Sequence, residues 1–261
     1  DDPAIWIHPT DPDASLIVTT LKEGGIDVYD IDGVLVQHIA PKAPPACTAG
    51  QQNCAGNRPG RINNADILYG FSLGGAPVDL LVASDRGLDK LAIYRVDAAL
   101  SQSALLSDVT AEPVPLIFAA NQDEVNQTDT AYGLATADIG GGVVFVSQND
   151  TTRIAVLDLL EDEHRRVGYQ QRTVLEFPAS FELADGSSWR PCSDNDSDGT
   201  HFEGMVADVA NNRLYLGQEN VGVWRLALDE PGDESQWHLF ARIRDFGIPY
   251  TRSWHSAAGE Y

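Results

Sequence analysis

Strand-like alternation recurs four times along this chain. Apolar positions alternate with small or polar ones at residues 25–32, 91–97, 154–159 and 221–226. That is the period-two pattern of a half-buried β-strand. Anchored on Tyr29, Tyr94, Leu157 and Trp224, the segments lie 65, 63 and 67 residues apart. Such regular spacing is the signature of a repeat architecture. Each anchor strand has an apolar partner just upstream, at residues 16–20, 80–84, 143–147 and 213–217. Turn residues separate the partners, among them Lys22-Glu23-Gly24 and Asp85-Arg86-Gly87, so each pair reads as a hairpin. A third strand is expected before each hairpin, at residues 4–8, 67–73, 133–137 and 205–207. A fourth is expected after it, at residues 35–39, 114–118, 173–177 and 237–243. The only helix-like patch, residues 98–106, reads as a turn within a loop. Four antiparallel strands per unit, repeated four times, predict an all-β fold of the β-propeller type. The chain starts and stops abruptly at unit edges, so the expectation is a part of a larger ring.

Composition narrows the setting. Of 261 residues, 43% are apolar, enough for a core and too many for a disordered chain. The formal net charge is −22, which argues against nucleic acid and anionic membrane surfaces as partners. It suits an extracellular protein or one that collects cations. No apolar run approaches the ~18 residues of a membrane span. The chain opens on Asp1 without a methionine and runs straight into a strand-like segment, so the natural N-terminus is expected upstream. Cys47 and Cys54 flank a polar loop and stand close enough to form a disulfide if it folds back, or to remain free loop thiols. Cys192 is left over. A loop disulfide would fit a secreted or periplasmic protein.

Candidate chemistry lies in two places. Between Cys192 and Met205 the chain sets Asp194, Asp196 and Asp198 at alternate positions, followed by Gly199 and then Glu203. Alternating carboxylates before a glycine turn can wrap a hard cation such as Ca2+, although an acidic loop exposed to solvent has the same composition. An EF-hand is excluded, because the position that should carry its bidentate Glu is Met205. The second place follows from the repeat. Asp2, Asp66, Tyr132 and Glu203 stand where the first strands are expected to begin, and Lys22, Arg86, Asn149 and Glu219 where the second strands end. Antiparallel pairing would return these ends to one mouth of the channel. Carboxylates beside cations suggest an anion that arrives with a metal, since guanidinium and ammonium groups clamp phosphate oxygens. Taken singly, each of these residues reads as a strand cap or an ion-pair partner; the repetition favours a site. The six histidines include no H-x-x-x-H pair, and G-x-S-x-G, P-loop and G-x-G-x-x-G motifs are absent. His201 stands out for adjoining Glu203.

At these residues the chain resembles the β-propeller phytases. The resemblance is carried by Asp1-Asp2-Pro3-Ala4-Ile5-Trp6, by Gly60-Arg61-Ile62-Asn63-Asn64-Ala65-Asp66, by Ala83-Ser84-Asp85-Arg86, by Tyr132-Gly133-Leu134 and by Phe202-Glu203-Gly204-Met205. It spans nearly the whole chain. It implies a six-bladed propeller, here with its last two blades missing, that uses Ca2+ to hydrolyse phytate to lower inositol phosphates by attack of a calcium-bound water. On that resemblance Asp2, the Pro3 carbonyl, Glu203 and Glu219 would contact calcium, with Asn63, Asn64, Ala65 and Asp66 shaping a neighbouring calcium site. Asp194, Asp196 and Asp198 would hold an extra ion. Lys22, Arg86 and Tyr132 would hold phosphate oxygens, with Glu203 and Glu219 completing the catalytic set. The implied partner is a small phosphorylated substrate, with no nucleic acid or membrane, and the implied state is a monomer. Two departures stand out. Glu23 and Asn149 occupy positions where the family commonly has lysine. A calcium-binding propeller without catalytic activity is therefore the alternative. A lactonase-like propeller with one metal is a third reading, but it leaves Lys22 and Arg86 unexplained.

Overall fold

The computed structural model describes residues 2–97, 104–191, 200–244 and 246–247. The strands form four antiparallel sheets, each ordered as the chain runs. The first holds β1 (Pro3–Trp6), β2 (Leu16–Leu21), β3 (Gly25–Asp30) and β4 (Leu35–Ile39). The second holds β5 (Ile62–Leu73), β6 (Ala76–Asp85), β7 (Lys90–Val96) and β8 (Leu106–Asp108). After a one-turn helix α1 (Gln122–Val125) come β9 (Ala131–Ala137), β10 (Val143–Gln148), β11 (Arg153–Glu161) and β12 (Val167–Glu176). A small hairpin of β13 (Phe181–Glu182) and β14 (Ser188–Trp189) precedes the fourth sheet. That sheet holds β15 (Phe202–Asp208), β16 (Arg213–Gln218), β17 (Gly222–Ala227) and β18 (His238–Arg242).

Consecutive sheets meet through their first strands: β1 lies against β5, β5 against β9, and β9 against β15. Three apolar layers fill the gaps. Trp6, Val18 and Val28 pack with Leu81, Ala83 and Tyr94 between the first two sheets. Leu80, Val82 and Ile93 pack with Val144, Val146 and Leu157 between the second and third. Phe145, Val156 and Phe177 pack with Phe202, Leu216 and Trp224 between the third and fourth.

This layering explains a difference in pattern between the strands. A middle sheet is buried on both faces, so its second strand is a continuous apolar run, Leu80-Leu81-Val82-Ala83 in β6 and Val143-Val144-Phe145-Val146 in β10. Leu81 and Ala83 face the first sheet, while Leu80 and Val82 face the third. The outer sheets alternate instead. Leu16 and Val18 are buried between half-buried Ile17 and Thr19, and Leu214 and Leu216 flank half-buried Tyr215.

The four-strand repeat is present, with two corrections. The fourth strand of the second sheet is Leu106–Asp108, and residues 114–118 are not a strand. Their apolar character has another cause: Ile117 is buried in the layer between the second and third sheets, with Val114 and Phe118 packed against it. Asp89 holds the segment there, its carbonyl accepting from the Ile117 amide at 2.9 Å and its carboxylate from the Phe118 and Ala119 amides at 2.8 Å each. Second, β5 begins five residues earlier than expected, so Asp66 lies inside the strand and not at its entry. Cys47 and Cys54 are joined in a disulfide. Cys192, Asp194, Asp196, Asp198 and Gly199 lie outside the described residues. Among the described residues no helix is long and apolar enough to cross a membrane.

Candidate active site

A hydroxyl on each of the first three sheets sets the geometry of the site end. Thr20 Oγ1 accepts from the Asp2 amide at 2.9 Å and donates to the Asn63 carbonyl of the next sheet at 2.6 Å. Ser84 Oγ, 64 residues on, accepts from the Asn64 amide at 3.1 Å and donates to the Tyr132 carbonyl. Ser147 Oγ, a further 63 residues on, accepts from the Gly133 amide at 2.8 Å and donates to the Phe202 carbonyl at 2.5 Å. All three hydroxyl residues are fully buried. Each therefore ties the first strand of its own sheet to the first strand of the next, beside the candidate site residues. The equivalent position in the fourth sheet is Gly217, two residues before Glu219.

Around this frame the second-sheet, third-sheet and fourth-sheet candidates converge. The Arg86 guanidinium, one residue past β6, lies over the Tyr132 ring at 5.1 Å. Tyr132, on β9, meets the His201 ring edge-on at 5.0 Å. Glu203 on β15 and Glu219 lie near enough for their negative charges to act on its hydroxyl. His201 stands between two carboxylates, with Nε2 3.5 Å from Glu219 Oε1 and Nδ1 3.4 Å from Asp150 Oδ1. Glu203 lies near enough to Glu219 to bear on its titration. Neighbouring carboxylates repel each other unless a proton or a cation lies between them.

The charges respond accordingly. Burial pushes the Arg86 pKa below its ordinary value, and the neighbouring Arg61 charge adds to this. Burial raises Tyr132, helped by the negative charge of Glu203. For His201 burial opposes the charged imidazole. The hydrogen bond and charge of Glu219, with Asp150 and Glu203, outweigh it and hold the pKa above the usual range. Glu219 is held below its ordinary value, first by the His201 hydrogen bond.

Packing at this point is tight enough to require glycine. A Cβ on Gly133 would lie 2.3 Å from the Glu203 carbonyl oxygen, a backbone atom that cannot swing aside. Gly133→Ala is therefore expected to force β9 and β15 apart and to destabilise the fold by about 1–3 kcal/mol, the usual cost of overpacking. A urea melt checks this, and an unchanged midpoint would contradict the close approach.

A second group gathers near β1 and β5. Asp2 Oδ2 accepts from the Ala65 amide at 3.2 Å. Asn63 and Asn64 are buried, and Asn63 donates to Asn64 Oδ1 at 2.6 Å while its own Oδ1 has no hydrogen-bond partner. Pro3 opens β1 opposite Thr19. The Asp66 carboxylate is already committed, to the Thr136 amide at 2.8 Å, the Thr136 hydroxyl at 2.9 Å and the Ile67 amide at 2.8 Å. Burial raises its pKa against these donors, with Asp2 adding to the rise. Lys22 lies one residue past β2, as Arg86 lies one past β6. Asn149 is buried and donates to Asp150 Oδ2 at 2.7 Å.

Among the described residues no three His, Cys, Asp or Glu side chains converge as a metal centre. What is present is oxygen chemistry: the neighbouring Glu203 and Glu219, the Asp2 carboxylate, and the unpartnered Asn63 amide oxygen. Oxygen donors of this kind suit a hard cation such as calcium.

Asp150, His201 and Arg61 were not placed in the site by spacing. Asp150 adjoins Asn149 at the equivalent turn, and His201 lies two residues before Glu203, so both were within reach of the repeat.

The family model described as phytase matches residues 1–42. The 3-phytase of Bacillus subtilis (strain 168) is 26% identical over 244 residues, covering 93% of this chain and 51% of that protein. The chain is thus similar to phytases, and it spans about half the length of the curated relative it matches. Among solved structures, a Bacteroides fragilis protein assigned as a 6-phosphogluconolactonase covers 88% of this chain and 66% of its own, at 13% identity and a TM-score of 0.43. A Xanthomonas campestris gluconolactonase covers 82% and 55%, at 13% identity and a TM-score of 0.37. Neither likeness is close enough to carry a functional argument.

Proposed function

We propose that this chain carries a large part of a calcium-dependent phosphomonoesterase site that acts on phytate. The observation that carries the reading is the convergence of Arg86, Tyr132, Glu203 and Glu219 from three consecutive sheets, in a relative of the phytases. On this reading the four sheets are blades of a six-bladed propeller, residues 1–261 form one incomplete phytase-like domain, and the protein is a secreted or periplasmic monomer. Arg86 and Lys22 hold phosphate oxygens. Tyr132 positions the Arg86 guanidinium beneath its ring face and adds a hydroxyl. Glu203, Glu219, Asp2 and the Pro3 carbonyl would hold calcium, with Asn64, Ala65 and Asp66 shaping the adjoining site and Asp194, Asp196 and Asp198 holding an extra ion. Calcium, when bound, neutralises the carboxylates and the substrate and supplies an activated water. His201, held by Glu219 and Asp150, keeps Glu219 ionised.

The test is phosphate release from phytate by the protein carrying this chain, with calcium and with chelator. Release with calcium and none with chelator is expected. Tight calcium-dependent phytate binding without release would instead support the binding-module reading, for which Glu23 and Asn149 in place of lysines are the supporting observation. Hydrolysis of lactones but not phosphoesters would overturn both.

A further inference from the structure

A second guanidinium stands beside Arg86 and has no role in the site so far. Arg61 lies just before β5, and its backbone is locked to the end of β6. The Arg86 amide donates to the Arg61 carbonyl at 2.8 Å, and the Arg61 amide donates to Asp85 Oδ1 at 2.8 Å. Glycines on both sides let the two segments touch. A Cβ on Gly87 would lie 2.2 Å from the Pro59 carbonyl oxygen, and one on Gly60 would lie 2.6 Å from Asp85 Oδ2. The chain thus gives up two side chains to press two arginines together, and Arg86 feels the Arg61 charge. Holding two like charges close costs free energy unless something negative joins them.

For Arg86 the charges of Asp150 and Glu203 do so in part, whereas for Arg61 little does. Glu23 Oε1 lies 3.5 Å from Arg61 Nη2, but the Glu23 side chain is 80% exposed, so this pair is weak. The Arg61 side chain is only 17% exposed, and its Nε hydrogen has no acceptor. Arg86 Nε is likewise buried without an acceptor. Two adjoining guanidiniums with donors to spare match the oxygens of a tetrahedral oxyanion.

We propose that Arg61 is a second phosphate-binding residue that clamps the same anion as Arg86, and that Glu23 is its resting counter-ion, displaced when the anion arrives. The proposal rests on the phosphoester reading of the site and adds to it. Glu23 acquires a function on this account: where it stands, it competes with substrate for Arg61.

Calorimetric titration with inorganic phosphate tests the clamp without relying on turnover. Arg61→Ala is expected to weaken phosphate binding about tenfold, with Arg61→Lys between it and the unaltered protein. Glu23→Gln is expected to tighten binding about twofold to threefold, and this gain is expected to vanish in the Glu23→Gln/Arg61→Ala double variant. On phytate, Arg61→Ala should raise KM more than it lowers kcat. Unchanged phosphate affinity in a natively melting Arg61→Ala protein would sink the clamp. A Glu23→Gln gain that survives the loss of Arg61 would sink the counter-ion role. If Arg61→Ala fails to fold, the exposed Glu23→Gln variant still decides, because no gain in affinity contradicts the proposal. Absence of phosphate binding in the unaltered protein would overturn the phosphoester reading, and Arg61 with it.

Discussion

Arg86→Ala is expected to lower kcat/KM for phytate about a thousandfold while leaving the fold in place. The magnitude follows from the position of the charge. Arg86 is half-buried, and in such surroundings a guanidinium aimed at developing phosphate charge is worth roughly 3–4 kcal/mol. The main-chain groups of Arg86 do the structural work: its amide donates to the Arg61 carbonyl at 2.8 Å, and its carbonyl accepts from Thr130 Oγ1 at 2.7 Å. Neither depends on the side chain, so the melting temperature should move little. Arg86→Lys should recover only part of the loss, because an ammonium keeps the charge but not the planar fork or the stacking on Tyr132. Steady-state kinetics on phytate beside a thermal melt make the check. Undiminished turnover in Arg86→Ala would remove this residue from the site and take the phosphoester reading down.

Period-two alternation and regular spacing were enough to read the strand content of this chain and its grouping in fours. They were less able to tell which sheets lie inside the stack. That information was present in β6 and β10, whose unbroken apolar runs mark sheets covered on both faces, while β2 and β16 alternate because only one face is covered. The outer strand of the second sheet was misplaced because Val114, Ile117 and Phe118 are apolar for a loop reason. They fill the core from a segment hung on Asp89, and a pattern of apolar residues does not say whether backbone partners are strands or a carboxylate.

The site was legible where it coincided with the repeat. Arg86, Tyr132, Glu203 and Glu219 come from matching turns and strand starts, and the structure brings them together. Asp66 shows the limit of counting. β5 is long and enters early, so the register partner of Asp2 is Asn64: Thr20 accepts from the Asp2 amide as Ser84 does from the Asn64 amide. Asp66 is two residues deeper and occupied by Thr136. Strand length changes with no signal in the alternation, whereas the buried Thr20, Ser84 and Ser147 recur at nearly constant spacing and record the true register. His201 stood out only as a neighbour of Glu203, and its contacts were hidden for another reason. Its partners Asp150 and Glu219 belong to different sheets, and contacts between sheets leave no local pattern.

Asp89→Ala is expected to destabilise the protein by about 3–5 kcal/mol, a drop in melting temperature on the order of 10 °C for a chain of this size. Asp89 is fully buried, and its carboxylate holds three amides: Phe118 and Ala119 through Oδ2, and Ala131 through Oδ1 at 3.0 Å. Alanine would leave these buried donors without an acceptor, at about 1–3 kcal/mol each before relaxation. The residue also has a φ of +54°, where alanine is penalised and asparagine is tolerated. Asp89→Asn thus keeps the backbone and one acceptor, and should lose about half as much. Burial raises the Asp89 pKa despite its three donors. The folded state therefore binds this proton more tightly than the unfolded chain. Its contribution is complete below the ordinary aspartate value of about 4 and declines as pH rises toward the raised folded value. The melting gap between the unaltered protein and Asp89→Asn should accordingly narrow from pH 4 upward, and Asp66 and Asp85, present in both, cancel from that difference. Ala131 opens β9 one residue before Tyr132. A loosened Asp89 should therefore weaken turnover as well as stability, and a destabilised variant with unchanged kinetics would show that the Ser84 and Ser147 hydroxyls alone hold Tyr132 in place.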